Sequence, residues 1–223
     1  MTSHSPTVVA IVQARMSSSR FPGKVLTMFR GAPVLEHVLR AAEAAVGRDA
    51  VVVATSIESS DDVIEQFAHS RGTAVICGDL ENVLARFQSA ARKYESEWVL
   101  RVTADSPLLT GDMLRDLIAA SSDAWDLVTT TWPRTFPTGC NAELIRRDVL
   151  MAIDAASADA SEREHVTRYL YNRADRYRIR NLESGRPELA ALNLAIDEPD
   201  DLARLERMTS GELADVTHNP AVR

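Results

Sequence analysis

The sequence predicts an α/β protein built on a mostly parallel sheet, and two patterns support this. Short runs rich in β-branched residues recur through the first half of the chain, and segments with helical spacing lie between them. The runs are apolar almost throughout, which is typical of parallel strands covered by helices on both faces. The 223 residues, 45% hydrophobic and 26% charged, suit one soluble domain with its own core.

The first half of the chain supplies the expected parallel strands. Predicted strands occupy residues 7–14, 50–55, 73–77 and 98–103, where valine and isoleucine are frequent. Between them, apolar residues recur every three or four positions, and a Ser/Asp cap precedes the second such segment. These patterns predict helices over residues 33–46, 59–72 and 82–94.

The second half is less regular, and its expected elements are mixed. Helices are predicted over residues 110–122, 148–158, 161–174 and 197–208, and strands over residues 126–131, 140–145, 177–182 and 191–196. Residues 132–140 hold two prolines and a glycine and predict a structured loop. The tail after Gly211 is expected to be loosely held. No repeat or linker divides the sequence, so we expect residues 1–223 to form one domain.

Composition limits the class of protein. The apolar runs are far shorter than the ~20 residues of a membrane span, and the N-terminus lacks the basic flank and apolar core of a signal peptide. We therefore expect a cytoplasmic protein without membrane insertion. The formal net charge of −7 opposes binding to nucleic acid, and Cys77 and Cys140 have no metal-binding spacing.

Charged and hydroxyl side chains follow the predicted strands at the point where each strand ends. The segment ARMSSSRFPGK, residues 14–24, follows the first strand, Asp105 follows the fourth, and Asp197 follows the last. Because the carboxyl ends of parallel strands share one edge, we expect these groups to meet in one crevice. Arginine, lysine, hydroxyl and loop N–H groups bind phosphates, and paired carboxylates bind Mg²⁺. The set suits a nucleoside triphosphate and its metal.

Each of these signals also has an ordinary structural interpretation. The loop matches neither G-x-x-x-x-G-K-[ST] nor G-x-G-x-x-G, so by itself it is either an anion-binding loop or a solvated basic turn. Asp105, which precedes Ser106 and Pro107, can cap a turn, and Asp197 can cap the helix that follows it. The interpretation as a site depends on their shared edge of the sheet.

Seven segments of the sequence have the form of known motifs. They are IVQARMSSSRFPGKVL (11–26), GAPVLEHVLRAA (31–42), GDLENVLARF (78–87), RVTADSPLL (101–109), RTFPTGCNAELI (134–145), EREHVTRYLY (162–171) and LNLAIDEPDDLARLE (192–206). In this order they resemble the motifs of the cytidylyltransferase superfamily that makes CMP-activated sugar acids. They cover nearly the whole chain, and the resemblance is strongest to the spore coat polysaccharide biosynthesis branch. Ser17 stands where the pattern of that branch, Q-A-R-M-G-S-[ST]-R-x-P-G-K, has glycine.

The resemblance implies a fold and a reaction. The fold is a Rossmann-like, GT-A-like nucleotidyltransferase fold with three α/β/α layers. The reaction is the Mg²⁺-dependent transfer of CMP from CTP to a small acidic, sugar-like acceptor, with release of pyrophosphate, in activated-sugar or surface polysaccharide biosynthesis. A homodimer is also implied, and residues 130–147 are the expected dimerisation or acceptor region.

The resemblance implies roles for individual residues as well. The residues expected to act in catalysis are Arg20, Lys24, Asp105 and Asp197, of which Asp105 and Asp197 would hold Mg²⁺. The expected nucleotide-binding residues are Ala14, Arg15, Met16, Ser18, Arg20, Lys24, Gly78, Asn82, Arg86, Thr103 and Asp105. The expected acceptor-binding residues are Arg134, Gly139, Asn141, Glu143 and His165.

Alternatives stay open for some residues and for the function. Ordinary surface or pairing roles are open for Arg86, Glu143 and His165, and Tyr171 is expected to be a packing residue. A glycosyltransferase of similar fold would use a nucleotide sugar, although the segment that begins at Asp105 lacks the second carboxylate of a D-x-D motif. A nucleotide-sensing protein or scaffold with a vestigial site is the non-enzyme alternative.

Overall fold

The computed structural model describes residues 7–217, in which strands and helices alternate. The strands are β1 (Val8–Gln13), β2 (Met28–Phe29), β3 (Ala32–Pro33), β4 (Val51–Ser56), β5 (Ala74–Gly78), β6 (Trp98–Thr103), β7 (Leu127–Thr129), β8 (Glu143–Arg146) and β9 (Ile179–Asn181). The α-helices are α1 (Val34–Val46), α2 (Asp62–Ser70), α3 (Val83–Lys93), α4 (Gly111–Ala119), α5 (Arg147–Ala152), α6 (Ala160–Glu164), α7 (Arg168–Tyr171), α8 (Pro199–Arg207) and α9 (Ser210–Thr217).

Seven strands form one sheet in the order β5-β4-β1-β6-β8-β7-β9. The neighbours among β5, β4, β1 and β6 are parallel, β8 runs antiparallel to both β6 and β7, and β9 is parallel to β7. The short strands β2 and β3 pair separately. The predicted α/β class with a mostly parallel central sheet is therefore confirmed.

Helices cover both faces of the sheet because its central strands are apolar on both sides. Along β1, Ala10 and Val12 belong to the core that contains α1 and α4, whereas Val9 and Ile11 belong to the core that contains α3. All six residues of β4 are buried. Two apolar layers thus stabilise the sheet from opposite sides, which gives the expected three-layer arrangement.

Two expectations for the region after residue 160 are wrong. Residues 161–174 form two short helices, α6 and α7, instead of one, because His165 adopts a non-helical φ of −107° and ψ of 35°. At this break His165 is exposed, while the adjacent Val166 is fully buried. Residues 191–196 form no strand of the sheet within residues 7–217, because Ala191 ends a 3-10 helix (Pro187–Ala191) and Asn193 makes only an isolated parallel bridge with Thr138.

The end of the described chain is more ordered than expected. Instead of a loosely held tail, Ser210–Thr217 forms α9, and Leu213 is buried against the rest of the molecule. The hydroxyl of Thr209 accepts a 3.2 Å hydrogen bond from the backbone N–H of Glu212, which caps this helix. Neither α9 nor any other helix within residues 7–217 combines the length and hydropathy needed to cross a membrane.

Candidate active site

Two neighbouring strands in the middle of the sheet position the candidate site. β1 and β6 lie side by side, with Gln13 opposite Thr103 at their carboxyl ends, whereas β4, the next sheet strand in sequence, lies on the other side of β1. The order in which strands are added to the sheet therefore reverses at β1, between its neighbours β4 and β6. Open α/β sheets bind ligands in the crevice at such a switch point, and the loops after β1 and β6 both leave the sheet there.

A buried carboxylate fixes the start of the loop after β1. Asp61 is 1% exposed, and its Oδ1 accepts a 2.7 Å hydrogen bond from the backbone N–H of Met16. Its Oδ2 accepts hydrogen bonds from the backbone N–H and hydroxyl of Ser56 and from the hydroxyl of Thr55. Asp61 was not predicted as a site residue, because it lies in a Ser-Ser-Asp-Asp run, residues 59–62, that is typical of a helix cap.

The rest of the loop turns back on Met16. The backbone oxygen of Met16 accepts hydrogen bonds from the N–H groups of Ser18 and Gly23, both at 2.9 Å. Gly23 has a φ of 76°, which side chains disfavour. Ser17, at the position of the family's glycine, is exposed, and Arg30 is the only non-glycine residue with positive φ within residues 7–217. The backbone of Ser17 therefore does not have the positive φ that favours glycine.

Lys24 joins the two carboxylates expected to bind metal. Its Nζ lies 2.8 Å from Asp105 Oδ2 and 2.8 Å from Asp197 Oδ1. Arg20 also reaches Asp197, at 3.2 Å. Because Lys24 is only 8% exposed, its ion pairs are screened by water less than surface pairs are. The loop after β1, the end of β6 and the segment before α8 therefore meet at one point.

These groups line a cavity of about 330 Å³, which we call the first cavity. The expected site residues on its wall are Ala14, Arg15, Ser18, Arg20, Lys24, Thr103, Asp105, His165 and Asp197. Gln13, Arg101 and Glu164 also line it and were not predicted. Glu164 holds Arg15 through a 2.9 Å ion pair. Most of the residues expected at the triphosphate and the metal are thus brought together.

Some of the expected nucleotide-binding residues are not on that wall. They are Met16, Gly78, Asn82 and Arg86. Arg86 is 1% exposed and donates to the backbone oxygens of Ala54, at 3.5 Å, and Leu80, at 3.3 Å. Burial lowers the pKa of its guanidinium. A Cβ on Gly78 would lie 2.8 Å from Arg86 Cγ, and Asn82 Oδ1 accepts a 3.0 Å hydrogen bond that caps α3. In the structure these three residues support the turn between β5 and α3.

Arg101 lies at the junction of three cavities. It lines the first cavity, a second cavity of about 190 Å³ and a third cavity of about 330 Å³. The expected acceptor residues Arg134, Asn141 and Glu143 line the second cavity, while His165 lines the first and third. The acceptor residues are therefore distributed around Arg101.

Gly139 occupies a different kind of position from the other expected acceptor residues. Its φ is 90°, and a Cβ there would lie 2.4 Å from the backbone N of Ala195 and 2.5 Å from the backbone C of Leu194. Glycine permits both this conformation and this close approach of two backbone segments. The loop of residues 132–141 can thereby pack directly on the segment that leads to Asp197.

Hydrogen bonds orient Arg101 on β6. Its Nη1 donates to Glu143 Oε2 at 2.5 Å, and its Nη2 donates to Gln13 Oε1 at 3.2 Å. The other oxygen of Glu143 accepts a 2.7 Å hydrogen bond from the hydroxyl of Tyr171. Burial, and then the charge of Glu143, raises the pKa of Tyr171, so its phenol stays protonated and donates. The sequence signal for Arg101 was a charged residue inside an apolar strand, four positions before Asp105.

Asp105 and Asp197 fit a magnesium ion whose other ligands are phosphate oxygens and water. Both carboxylates face the first cavity, and each side chain is 27% exposed. Mg²⁺ is commonly bound by one or two carboxylates together with substrate phosphates and water. Residues 7–217 contain no cluster of three or more His, Cys, Asp or Glu residues suited to a metal. Phosphate oxygens and water would complete the coordination.

Comparisons with known proteins identify relatives of this chain. A match to the cytidylyltransferase family spans residues 9–217. The chain is 31% identical over 218 residues to the spore coat polysaccharide biosynthesis protein SpsF of Bacillus subtilis (strain 168), covering 94% of this chain and 90% of that protein. It is 31% identical over 155 residues to a 3-deoxy-manno-octulosonate cytidylyltransferase of Anaeromyxobacter dehalogenans (strain 2CP-C), covering 69% of this chain and 61% of that enzyme.

Solved structures agree at the level of the fold. A cytidylyltransferase from Leptospira borgpetersenii serovar Hardjo-bovis (strain JB197) has a TM-score of 0.86 and 26% identity, covering 95% of this chain and 92% of that chain. A CMP:2-keto-3-deoxy-manno-octonic acid synthetase complexed with CTP has a TM-score of 0.66 and 20% identity, covering 90% of this chain and 97% of that chain. Since the family match extends over nearly all of the sequence, the chain belongs to the cytidylyltransferase family and is a nucleotidyltransferase.

Proposed function

We propose that the protein transfers CMP from CTP to a small acidic, sugar-like acceptor in a Mg²⁺-dependent reaction that releases pyrophosphate. The observation that carries this proposal is the cluster of Arg20, Lys24, Asp105 and Asp197, which combines cations for phosphates with two carboxylates for a metal. One relative is named as a 3-deoxy-manno-octulosonate cytidylyltransferase, and one structural neighbour was solved with CTP. The name of SpsF supports a role in surface polysaccharide biosynthesis.

The loop after β1 would bind the triphosphate. The hydroxyl of Ser18 and the guanidinium groups of Arg15 and Arg20 are donors of the kind that phosphate oxygens accept. Asp61 holds the loop by its 2.7 Å contact with Met16, so these donors are positioned before CTP arrives. Preorganised donors stabilise developing charge because they need little rearrangement during the reaction.

Transfer needs positioning and charge neutralisation more than covalent chemistry by the protein. The acceptor hydroxyl attacks the α-phosphorus of CTP, and a new P–O bond forms while the hydroxyl proton passes to water. The bond between the α-phosphorus and the α,β-bridging oxygen breaks, and that oxygen leaves with pyrophosphate. Arg20 and Lys24 would stabilise the negative charge of the leaving pyrophosphate. Asp105 and Asp197 would hold Mg²⁺, which when bound supplies further positive charge to the phosphates.

The acceptor would lie beside the nucleotide, where the second cavity adjoins the first. The two cavities share Arg101 and Thr103. Arg134 and Asn141 lie on the far side of this boundary and hydrogen-bond to each other at 3.0 Å. An acceptor in the second cavity would therefore present its hydroxyl toward the first, where the α-phosphate would be.

The reaction can be tested directly. The protein is incubated with CTP, Mg²⁺ and a panel of sugar acids, and pyrophosphate and the CMP adduct are both measured. We expect pyrophosphate release that depends on the acceptor and equals the CMP adduct formed. Cleavage of a nucleotide sugar without pyrophosphate would instead indicate a glycosyltransferase, and CTP binding without turnover across the panel would indicate a sensor.

The two carboxylates can be tested by replacing one charge at a time. Asp105→Asn and Asp197→Asn are each expected to lower kcat/KM by about 100-fold or more, because each removes charge from the proposed metal site. Asp112→Asn is the matched control, since that side chain is 84% exposed on α4. Circular dichroism should show the same fold in all three variants. Near wild-type activity in both site variants would contradict the metal assignment.

A further inference from the structure

Arg101 has a position that CTP binding alone does not explain, since it borders three cavities and is held by residues from β1 and β8. We propose that Arg101 binds the carboxylate of the acceptor in the second cavity and thereby selects acids over neutral sugars. This inference rests on the proposed CMP transfer and identifies the residue that would determine its acceptor class.

The charged groups of the second cavity favour an anion. Its wall carries the cations Arg101 and Arg134 and the carboxylate Glu143, together with Thr131 and Asn141. Both oxygens of Glu143 are already used, one by Arg101 and the other by the hydroxyl of Tyr171. The wall therefore has a net positive charge, and its hydroxyl and amide groups suit a ligand that also carries hydroxyls.

The protein orients the Arg101 guanidinium without using all of its donors. A guanidinium has five N–H bonds in a fixed plane. Glu143 accepts one hydrogen bond from Nη1 and Gln13 accepts one from Nη2, so each of these nitrogens keeps a second N–H, whereas Nε is buried and has no hydrogen-bond partner within residues 7–217. The side chain is only 14% exposed, so little rotamer freedom remains to be lost when a ligand binds. A cation held in this way can bind a carboxylate with defined geometry.

The strand also relates Arg101 to the reacting centre. Thr103 lies two residues further along β6 on the same face and lines both the first and second cavities. This spacing corresponds to about 7 Å along the strand, and Asp105 follows two residues later. A carboxylate on Arg101 would therefore lie within the length of one small molecule from the proposed metal site.

The third cavity provides a matched control rather than a second acceptor site. Arg101 and Arg168 both line it, but Arg168 is exposed, and neither Thr103 nor Arg134 is on its wall. Arg168→Ala removes a cation of the same type close to Arg101 without touching the second cavity. We expect it to leave acceptor preference unchanged.

The experiment compares an acid with its neutral isostere. We would measure kcat/KM for 3-deoxy-manno-octulosonate and N-acetylneuraminate and for the carboxamide of each. The wild type should prefer the acid by about 10- to 100-fold, as expected for a hydrogen-bonded charge. In the double variant Arg101→Met/Glu143→Gln, no unpaired Glu143 charge remains. Its kcat/KM values for the acid and the carboxamide should differ by about threefold or less, with KM for CTP little changed. Arg101→Lys keeps the charge but loses the planar set of N–H donors of the guanidinium, and it should give an acid-to-carboxamide ratio of kcat/KM between those of the wild type and the double variant.

Retention of the acid preference in the folded double variant would overturn the proposal, as would a better reaction with the carboxamides in the wild type. Calorimetric binding of the two acids to wild type and variants separates this proposal from CMP transfer. If no acceptor yields pyrophosphate, CMP transfer fails, but loss of acid binding in the Arg101 variants still supports the anion site. If the wild type binds neither acid, the role of Arg101 is overturned.

Discussion

Lys24 is the nearest cation to both carboxylates of the proposed metal site. It lies 2.8 Å from each, and Arg20 lies 3.2 Å from Asp197 and 3.4 Å from Glu198, so both carboxylates already have cationic partners. A divalent cation that approaches this cluster gains little attraction. Bound triphosphate, by contrast, would draw Lys24 and Arg20 toward its own oxygens. Metal binding is therefore expected to depend on the nucleotide.

Lys24→Met tests this dependence at a single residue. Without nucleotide, the variant should bind Mn²⁺ about tenfold more tightly than the wild type, because one positive charge is removed next to the carboxylates. Its affinity for CTP should fall. Free Mn²⁺ is measured by electron paramagnetic resonance, and Lys93→Met, at an exposed position on α3, is the control. Equal or weaker Mn²⁺ binding by Lys24→Met would contradict this account.

At the scale of elements, the loop after β1 depends on α2, which is not next to it in sequence. Asp61, just before α2, joins the ends of β1 and β4 through its contacts with Met16 and Ser56. Four donors share its two oxygens, so the carboxylate is fully paired although it is buried. The phosphate-binding loop is thereby held by a residue that itself lies off the wall of the first cavity.

Asp61→Ala should affect both stability and nucleotide binding. The free energy of unfolding is expected to fall by about 2–3 kcal/mol, because buried donors lose a charged partner, and KM for CTP should rise by about tenfold as the loop loses its anchor. Asp62→Ala, at the adjacent exposed position, should cost only about 0.5 kcal/mol through the helix dipole. Urea denaturation and initial rates measure the two effects. A normal KM in Asp61→Ala would show that the loop needs no such anchor.

At the scale of the whole molecule, one buried carboxylate connects the antiparallel end of the sheet. Asp126, next to β7, bonds to Arg178 before β9, at 2.7 Å, and to Arg146 at the end of β8, at 3.2 Å. Hydrogen bonds from Arg178 are the main cause that lowers the pKa of Asp126, against the opposing effect of burial. The sheet edge is thus stabilised by a charge that acid would remove.

The stability of the fold should follow this titration. Because the pKa of Asp126 is lowered in the folded state, its contribution is complete above the ordinary aspartate pKa of about 3.9 and is lost as pH falls through the folded value. Asp126→Asn should therefore lower the free energy of unfolding by about 1–3 kcal/mol at pH 7 and by less at pH 3. Asp123→Asn, an exposed neighbour, should have little effect at either pH. An Asp126→Asn loss that is equal at the two pH values would contradict the assignment.

Local patterns in the sequence determined the α/β class and the parallel strands of the first half, because apolar periodicity depends on neighbouring residues alone. They also placed the basic loop after β1 and Asp105 after β6, whereas the strand expected before Asp197 does not form. The break at His165 and the absence of a sheet strand over residues 191–196 within the described chain could not be predicted, since short elements depend on the surfaces that they pack against.

Only the tertiary structure decided which polar groups meet. The sequence pattern around Arg86 indicates a helix surface, but its side chain is buried. Asp61 has the position of a helix cap, but it anchors a loop 45 residues away. Arg101 is a single charge in an apolar strand, and it borders three cavities. Hydrogen bonds and ion pairs of this kind form across long separations in sequence. Their partners are determined by sheet order and register, which local pattern does not specify.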